Sequence, residues 1–266
     1  VCLTALDARA RRPLPSGLGP ASDDYRMGTA AVEPFGEWLE PAPDGLLGID
    51  GSDGADPAGV VVARESVRLA FIAALQHLPA RPRAVLLLRD VLGWKAAEVA
   101  ALLETTTVAV NSALRRARAQ LDEVAPTRAA LAEPGDPAVQ ATLGRYIEAF
   151  ERSDISRLAG LLRDDATLEM PPNVTWFAGR RTIETFLQVR VLGDPGNWRL
   201  VQVSANGQPA TAAYGRASDG RLHAHGIQVL EIEQGRIRRI VSFNDARLVA
   251  LFGLPPVLDD AHPAAG

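Results

Sequence analysis

From Val60 to Glu123 the apolar residues recur at i, i+3, i+4 and i+7, whereas beyond Trp198 they fall into short runs broken by glycine turns. A chain that changes its hydrophobic period in this way is expected to build a helical domain first and a mixed one after it. Its 266 residues, 47% of them hydrophobic, supply two small cores rather than one large one. The boundaries read as the end of a helix over 1–12, an acidic linker over 13–57, a helical domain over 58–123, a second linker over 124–137, an α+β domain over 138–258 and a tail over 259–266.

The first linker follows the basic cluster Arg9, Arg11 and Arg12. It carries nine carboxylates (Asp23, Asp24, Glu33, Glu37, Glu40, Asp44, Asp50, Asp53, Asp56) against one base, Arg26. Rich also in Pro, Gly and Ser, it cannot bury enough apolar surface to fold alone. It is expected to be extended, either as a solvated spacer or with a role of its own. A formal net charge of −4 argues against nucleic acid only if charge is spread evenly, so its distribution decides. The single cysteine, Cys2, excludes an intramolecular disulfide and fits a reducing cytoplasm. No apolar run approaches the roughly 18 residues of a membrane span. The first residue, Val1, lies inside what reads as a helix already under way, so an upstream segment is expected.

Four helical stripes follow. They are Val67, Ala70, Phe71, Ala74 and Leu78; Ala84, Leu87, Leu88 and Val91; Ala96, Val99, Ala100 and Leu103; and Val110, Ala113, Leu114, Ala117 and Leu121. The third and fourth are parted by a tight turn at Glu104-Thr105, the spacing of a helix-turn-helix. Thr106 or Thr107 can cap the helix that follows. That helix carries Asn111, Arg115 and Arg118 on one face, with Ser112 and Arg116 beside it, and no acid occurs between Thr106 and Gln120. Such a face suits a major groove lined with acceptors and flanked by phosphates; the alternative is an ordinary surface helix bearing three arginines.

The run LPARPRAVLLLRDVLGWKAAEVAALLETTTVAVNSALRRARAQL, Leu78 to Leu121, resembles the fourth conserved region of extracytoplasmic-function RNA polymerase sigma factors. The resemblance implies that the second helix enters the major groove of the −35 promoter element, with core RNA polymerase as partner. It implies Asn111, Ser112, Arg115 and Arg116 as base or phosphate contacts, Thr107 near the backbone and Lys95 as a further phosphate contact; Arg118 shares their face. Glu104 departs from the family, which usually has Gly at the turn, and this implies a slightly remodelled turn. VCLTALDARARR resembles the very end of the family's second conserved region, whose earlier part is absent from this sequence. In that family the connecting segment threads the polymerase's nucleic-acid cleft, a place where an acidic linker makes electrostatic sense.

After the second linker come a helix on Val139, Leu143, Tyr146, Ile147 and Phe150, a shorter one through Leu158, Leu161 and Leu162, a strand at 166–170 and a helix on Ile183, Phe186 and Leu187. Four strands then follow at 198–205, 210–216, 221–233 and 236–243, with turns at Gly207, Asp219-Gly220 and Gln234-Gly235. The runs RYIEAFERSDISRLAGLLRDDATLEMPP, WFAGRRTIETFL and GRIRRIVSFNDARLVALFGLP resemble the SnoaL-like branch of the nuclear-transport-factor-like superfamily, which implies a cone of curved sheet around helices. That fold hosts cyclases, isomerases, hydrolases and plain binding modules. Some extracytoplasmic-function sigma factors carry this appendage, where it resembles a built-in regulator.

Strand alternation puts His223 and His225 on one face, and Tyr146, Glu169, Trp176, Asn244 and Asp245 are candidates to converge with them on a cavity. A His beside a carboxylate can perform general acid-base work. Against that, Asp245 can simply cap a helix and Glu169 can pair with an arginine. Ligand sensing or interdomain contact therefore stands ahead of catalysis; no cofactor is implied, and two histidines without a third ligand make a poor metal site. The leading expectation is a cytoplasmic sigma factor whose second domain regulates it and takes a candidate small-molecule ligand. The rival is a SnoaL-like enzyme that keeps a sigma-derived helical domain.

Overall fold

A computed structural model describes residues 14–27, 38–49, 78–124 and 135–258. They belong to two compact units, one holding 78–124 and the other holding the remaining three stretches. The expected helix end over 1–12, the stripe residues Val67 to Ala74, the middle of the second linker and the tail lie outside the described residues.

In the helical unit, α1 (Ala80–Leu86) begins after Pro79 and runs on through a π-helical turn, Leu87–Val91. Then come α2 (Ala96–Leu102) and α3 (Thr107–Val124). The core joins Leu78, Val85 and Leu86 to Val99, Ala100, Val110, Ala113, Leu114 and Ala117. On α2 and α3 the described stripe residues, Ala96, Val99, Ala100, Leu103, Val110, Ala113, Leu114 and Ala117, are buried in this core or packed against it, as their spacing predicts. On α1 the buried side chains are Ala80, Val85 and Leu86, while Ala84, Leu87 and Leu88 are half-buried. A seven-residue helix that widens into a π-helical turn does not hold one 3.6-residue stripe along its length, which is why the expected register is displaced.

In the second unit, α4 (Pro137–Glu151) is started by Asp136, whose carboxylate accepts from the Ala138 amide, and by Pro137 at its first position. Next come α5 (Ile155–Leu161), β1 (Leu162–Glu169), β2 (Trp176–Ala178) and α6 (Arg180–Phe186), which continues as a π-helical turn, Leu187–Leu192. Strands β3 (Trp198–Ala205), β4 (Gln208–Arg216), β5 (Leu222–Glu233) and β6 (Arg236–Phe243) follow, then α7 (Ala246–Leu251) and β7 (Val257–Leu258). The sheet runs β2-β1-β6-β5-β4-β3, with β7 on β5. All pairs are antiparallel except β1 with β6, which run parallel. One core spans α4, α5, α6 and the sheet, with Leu143, Phe150, Leu158, Phe177, Ile183 and Leu230 at its centre.

The acidic segment is not extended throughout. Its stretches 14–27 and 38–49 lie on the second unit, and Leu14, Leu39 and Ile49 are buried there. The Ser22 amide donates to the Trp176 carbonyl, the Trp176 indole to the Gly19 carbonyl, and the Asp44 amide to the Ser204 carbonyl. Asn206 and Ala42 exchange two hydrogen bonds, and Asp44 accepts from the Gly207 amide. Composition alone missed this, because a segment unable to fold by itself can still be held by a sheet edge that needs partners.

Candidate nucleic-acid interface and cavity

Thr106 caps α3, its hydroxyl accepting from the Ala109 amide at 3.2 Å. Glu98 reaches back to the Lys95 amide at the start of α2, leaving the Lys95 side chain exposed. Between the two helices Glu104 takes φ 50°, the left-handed angle that glycine would take without strain. Arg81, on α1, donates to the Leu103 carbonyl at 2.8 Å and so ties that turn to the first helix.

With Val110, Ala113, Leu114 and Ala117 buried, α3 turns its opposite side to solvent. Thr107, Asn111, Arg115 and Arg116 are exposed and Ser112 is half-buried. Arg118 stands apart from them. Its Nε and Nη2 form a two-pronged bond to the Asp90 carboxylate at 2.9 and 2.7 Å, and its side chain is half-exposed. Asp90 lies 28 residues away, so no helical spacing signals this pair. Arg89, Asn111, Leu114, Arg115, Arg118 and Ala119 line an open groove of about 540 Å³.

The second unit holds a cavity of about 60 Å³ between α4, α6 and the sheet. Phe150, Phe186 and Trp198 line its apolar part. At its polar end Tyr146 and Thr211 both donate to Gln228, at 3.0 and 3.1 Å, and Ser242 bonds Asn244 at 2.9 Å. Burial pushes the Tyr146 hydroxyl well above its ordinary pKa, so it stays protonated and donates. His225 stands at the rim, edge-on to Trp198 with ring centroids 5.0 Å apart. Burial lowers its pKa, and a hydrogen bond with Asn244 pulls the other way.

Of the seven residues expected to converge, Tyr146, His225 and Asn244 line this cavity; Glu169, Trp176, His223 and Asp245 do not. His223 pairs with Asp219 at 2.8 Å near the β4–β5 turn. The simple alternation fails because Tyr214 faces Ala224 while Ala213 faces Gly226, which leaves His225 as the extra residue of a β-bulge. Asp245 caps α7 through the Arg247 amide. Glu169 is buried and pairs with Arg239, which also faces Glu231 at 3.6 Å, and its second oxygen accepts from the Ser16 amide. Burial opposes the charge of Arg239, but the two carboxylates outweigh it and hold the guanidinium firmly charged. Gln228 and Ser242, absent from the expected set, carry the polar end. The signal for Gln228 is its place as a lone amide inside the otherwise apolar run Gly226 to Leu230.

No carboxylate is among the residues lining the cavity, and among the described residues no group of three or more His, Cys, Asp or Glu could hold a metal ion. A rim imidazole paired with an amide can recognise a hydrogen-bonding group, but it lacks the carboxylate partner expected for general acid-base chemistry. Among the described residues no helix is long and apolar enough to cross a membrane.

Two family models match: sigma-70, region 4, over residues 68–121, and the SnoaL-like domain over residues 143–240. The extracytoplasmic-function (ECF) RNA polymerase sigma factor SigG of Mycobacterium tuberculosis is 49% identical over 259 residues, covering 97% of this chain and 68% of that one. ECF RNA polymerase sigma factor SigJ of the same species is 33% identical over 133 residues, covering 50% of this chain and 40% of that one. The crystal structure of SigJ superposes with a TM-score of 0.57 at 24% identity, covering 84% of this chain and 78% of that one.

Proposed function

The chain belongs to the ECF RNA polymerase sigma factors, and we propose that it works in the cytoplasm by joining core RNA polymerase and presenting α3 to the −35 element of a promoter. The observation that carries this reading is the outward face of α3: Asn111, Arg115 and Arg116 exposed, a buried stripe opposite, and no acid from Thr106 to Gln120. Donors on such a helix meet the acceptor edges of bases while neighbouring cations meet phosphates. Thr107 and Lys95 stand at the exposed starts of α3 and α2, where phosphates would run past. Arg115→Ala is expected to weaken promoter binding by about 1–3 kcal/mol. Titration of promoter duplex with the wild-type and substituted chains, joined to core polymerase, checks this; equal affinities would remove the reading.

The second domain acts in this proposal as a regulator. It holds two stretches of the acidic segment through Ser22, Asp44, Trp176 and Asn206, so it is positioned to govern when that segment is available to the polymerase. Its cavity of about 60 Å³ is far below the roughly 300–1,000 Å³ of ordinary ligand pockets. A small-molecule ligand would therefore enter by opening it and would bias the regulator rather than undergo reaction. Removing residues 138–266 is expected to change promoter-dependent binding of the polymerase complex; an unchanged complex would leave the domain without this role.

A further inference from the structure

One outward residue of α3 is neither an arginine nor an amide. Val108, the second residue of the helix, is 73% exposed, the highest exposure among the large apolar side chains described. It precedes Asn111 by three residues, Ser112 by four and Arg115 by seven, so all four share one face. A single exposed apolar residue is ordinary on a protein surface. This one, however, sits in the first turn, where a β-branched residue gains nothing for the helix, and it lies amid the polar side chains that would enter the groove. Two helix ends also converge there: the turn fixed by Arg81 on Leu103 and the Thr106 cap fix the first turn of α3 against the rest of the unit. The N-terminal residues of a recognition helix are the ones that meet base edges, and the only apolar feature on those edges in the major groove is the thymine C5 methyl.

We infer that Val108 is a specificity-determining residue that packs on a thymine methyl in the DNA bound by α3. The inference rests on the reading of α3 as the promoter-reading helix. Val108 then supplies apolar contact at one base step, while Asn111, Ser112 and Arg115 supply polar contacts at adjoining steps. It discriminates thymine from cytosine and from uracil by the same missing methyl group.

The probe is a duplex enriched by the full chain from a pool with a randomised twelve-base-pair core, compared with copies in which each thymine in turn becomes deoxyuridine. One substitution is expected to weaken wild-type binding about four-fold, the worth of one buried methyl. Val108→Ser should bind the thymine and deoxyuridine duplexes equally, and Val108→Ile should restore the discrimination. Because the side chain is exposed, both variants should keep the wild-type helical circular dichroism and melting temperature. A Val108→Ser chain that retains the wild-type thymine preference, or a wild type with no methyl-sensitive position, overturns the inference while leaving the groove reading in place. If no sequence is enriched, or if Arg115→Ala enriches and binds the same duplex as well as wild type does, the groove reading falls and the inference with it.

Discussion

The helical unit and the α+β unit treat their arginines in opposite ways. On α3, Arg115 and Arg116 face solvent with no ion-pair partner among the described residues. In the α+β unit, Arg239 is sunk between Glu169 and Glu231, and Arg163 is shared by Asp165 and Glu233. The difference separates charge kept available for a partner from charge used up inside the fold. Arg118 lies between these cases, since it is on the outward helix but tied to Asp90. A count of cations per domain would miss this, because it weighs Arg115 and Arg239 alike.

Substitutions should break that contrast in a graded way. The largest effect belongs to Arg239→Met, which strands two buried carboxylates and should cost the α+β unit about 3–5 kcal/mol; a urea titration followed by tryptophan fluorescence measures it. Gly226→Ala comes next, because an added Cβ would meet the Phe243 carbonyl oxygen at 1.9 Å across the β5–β6 pair. Its expected cost is about 1–3 kcal/mol in the same titration, with DNA binding by α3 unaltered. The smallest effect has the opposite sign. Glu104→Gly relieves the left-handed angle at the helix-turn-helix turn and should stabilise the helical unit by about 0.5–1 kcal/mol. Thermal melting of that unit, followed by circular dichroism at 222 nm, should show the gain; a loss would mean that Glu104 holds the turn by a contact of its side chain.

How far each unit is legible in the sequence follows from the range of its interactions. The helix-turn-helix is set by neighbours: Thr106 three residues before Ala109, and the buried stripe of α3 at spacings of three and four. Where a partner is distant, as with Arg118 and Asp90, the local pattern reads the side chain as available when it is engaged. The α+β unit depends on distant partners throughout. Glu169 finds Arg239 seventy residues on, through the pairing of β1 with β6, and Tyr146 finds Gln228 eighty-two residues on, through the packing of α4 against the sheet. A single inserted residue at His225 is enough to separate it from His223, and alternation in the sequence carries no mark of that bulge. The parallel β1–β6 pair is equally silent, because strand direction is settled by the path of the chain between strands and not by the residues within them.

The hydrogen bonds from Ser22 to Trp176 and from Asp44 to Ser204 fall on β2 and on the end of β3, the two outer strands of the sheet. Lifting the N-terminal segment away would therefore bare adhesive backbone at both flanks at once, inviting the molecule to stick to its own kind. Any state in which the segment is handed to another protein is then best kept brief or shielded by that protein, a colloidal constraint that would favour release only once the recipient is already in place.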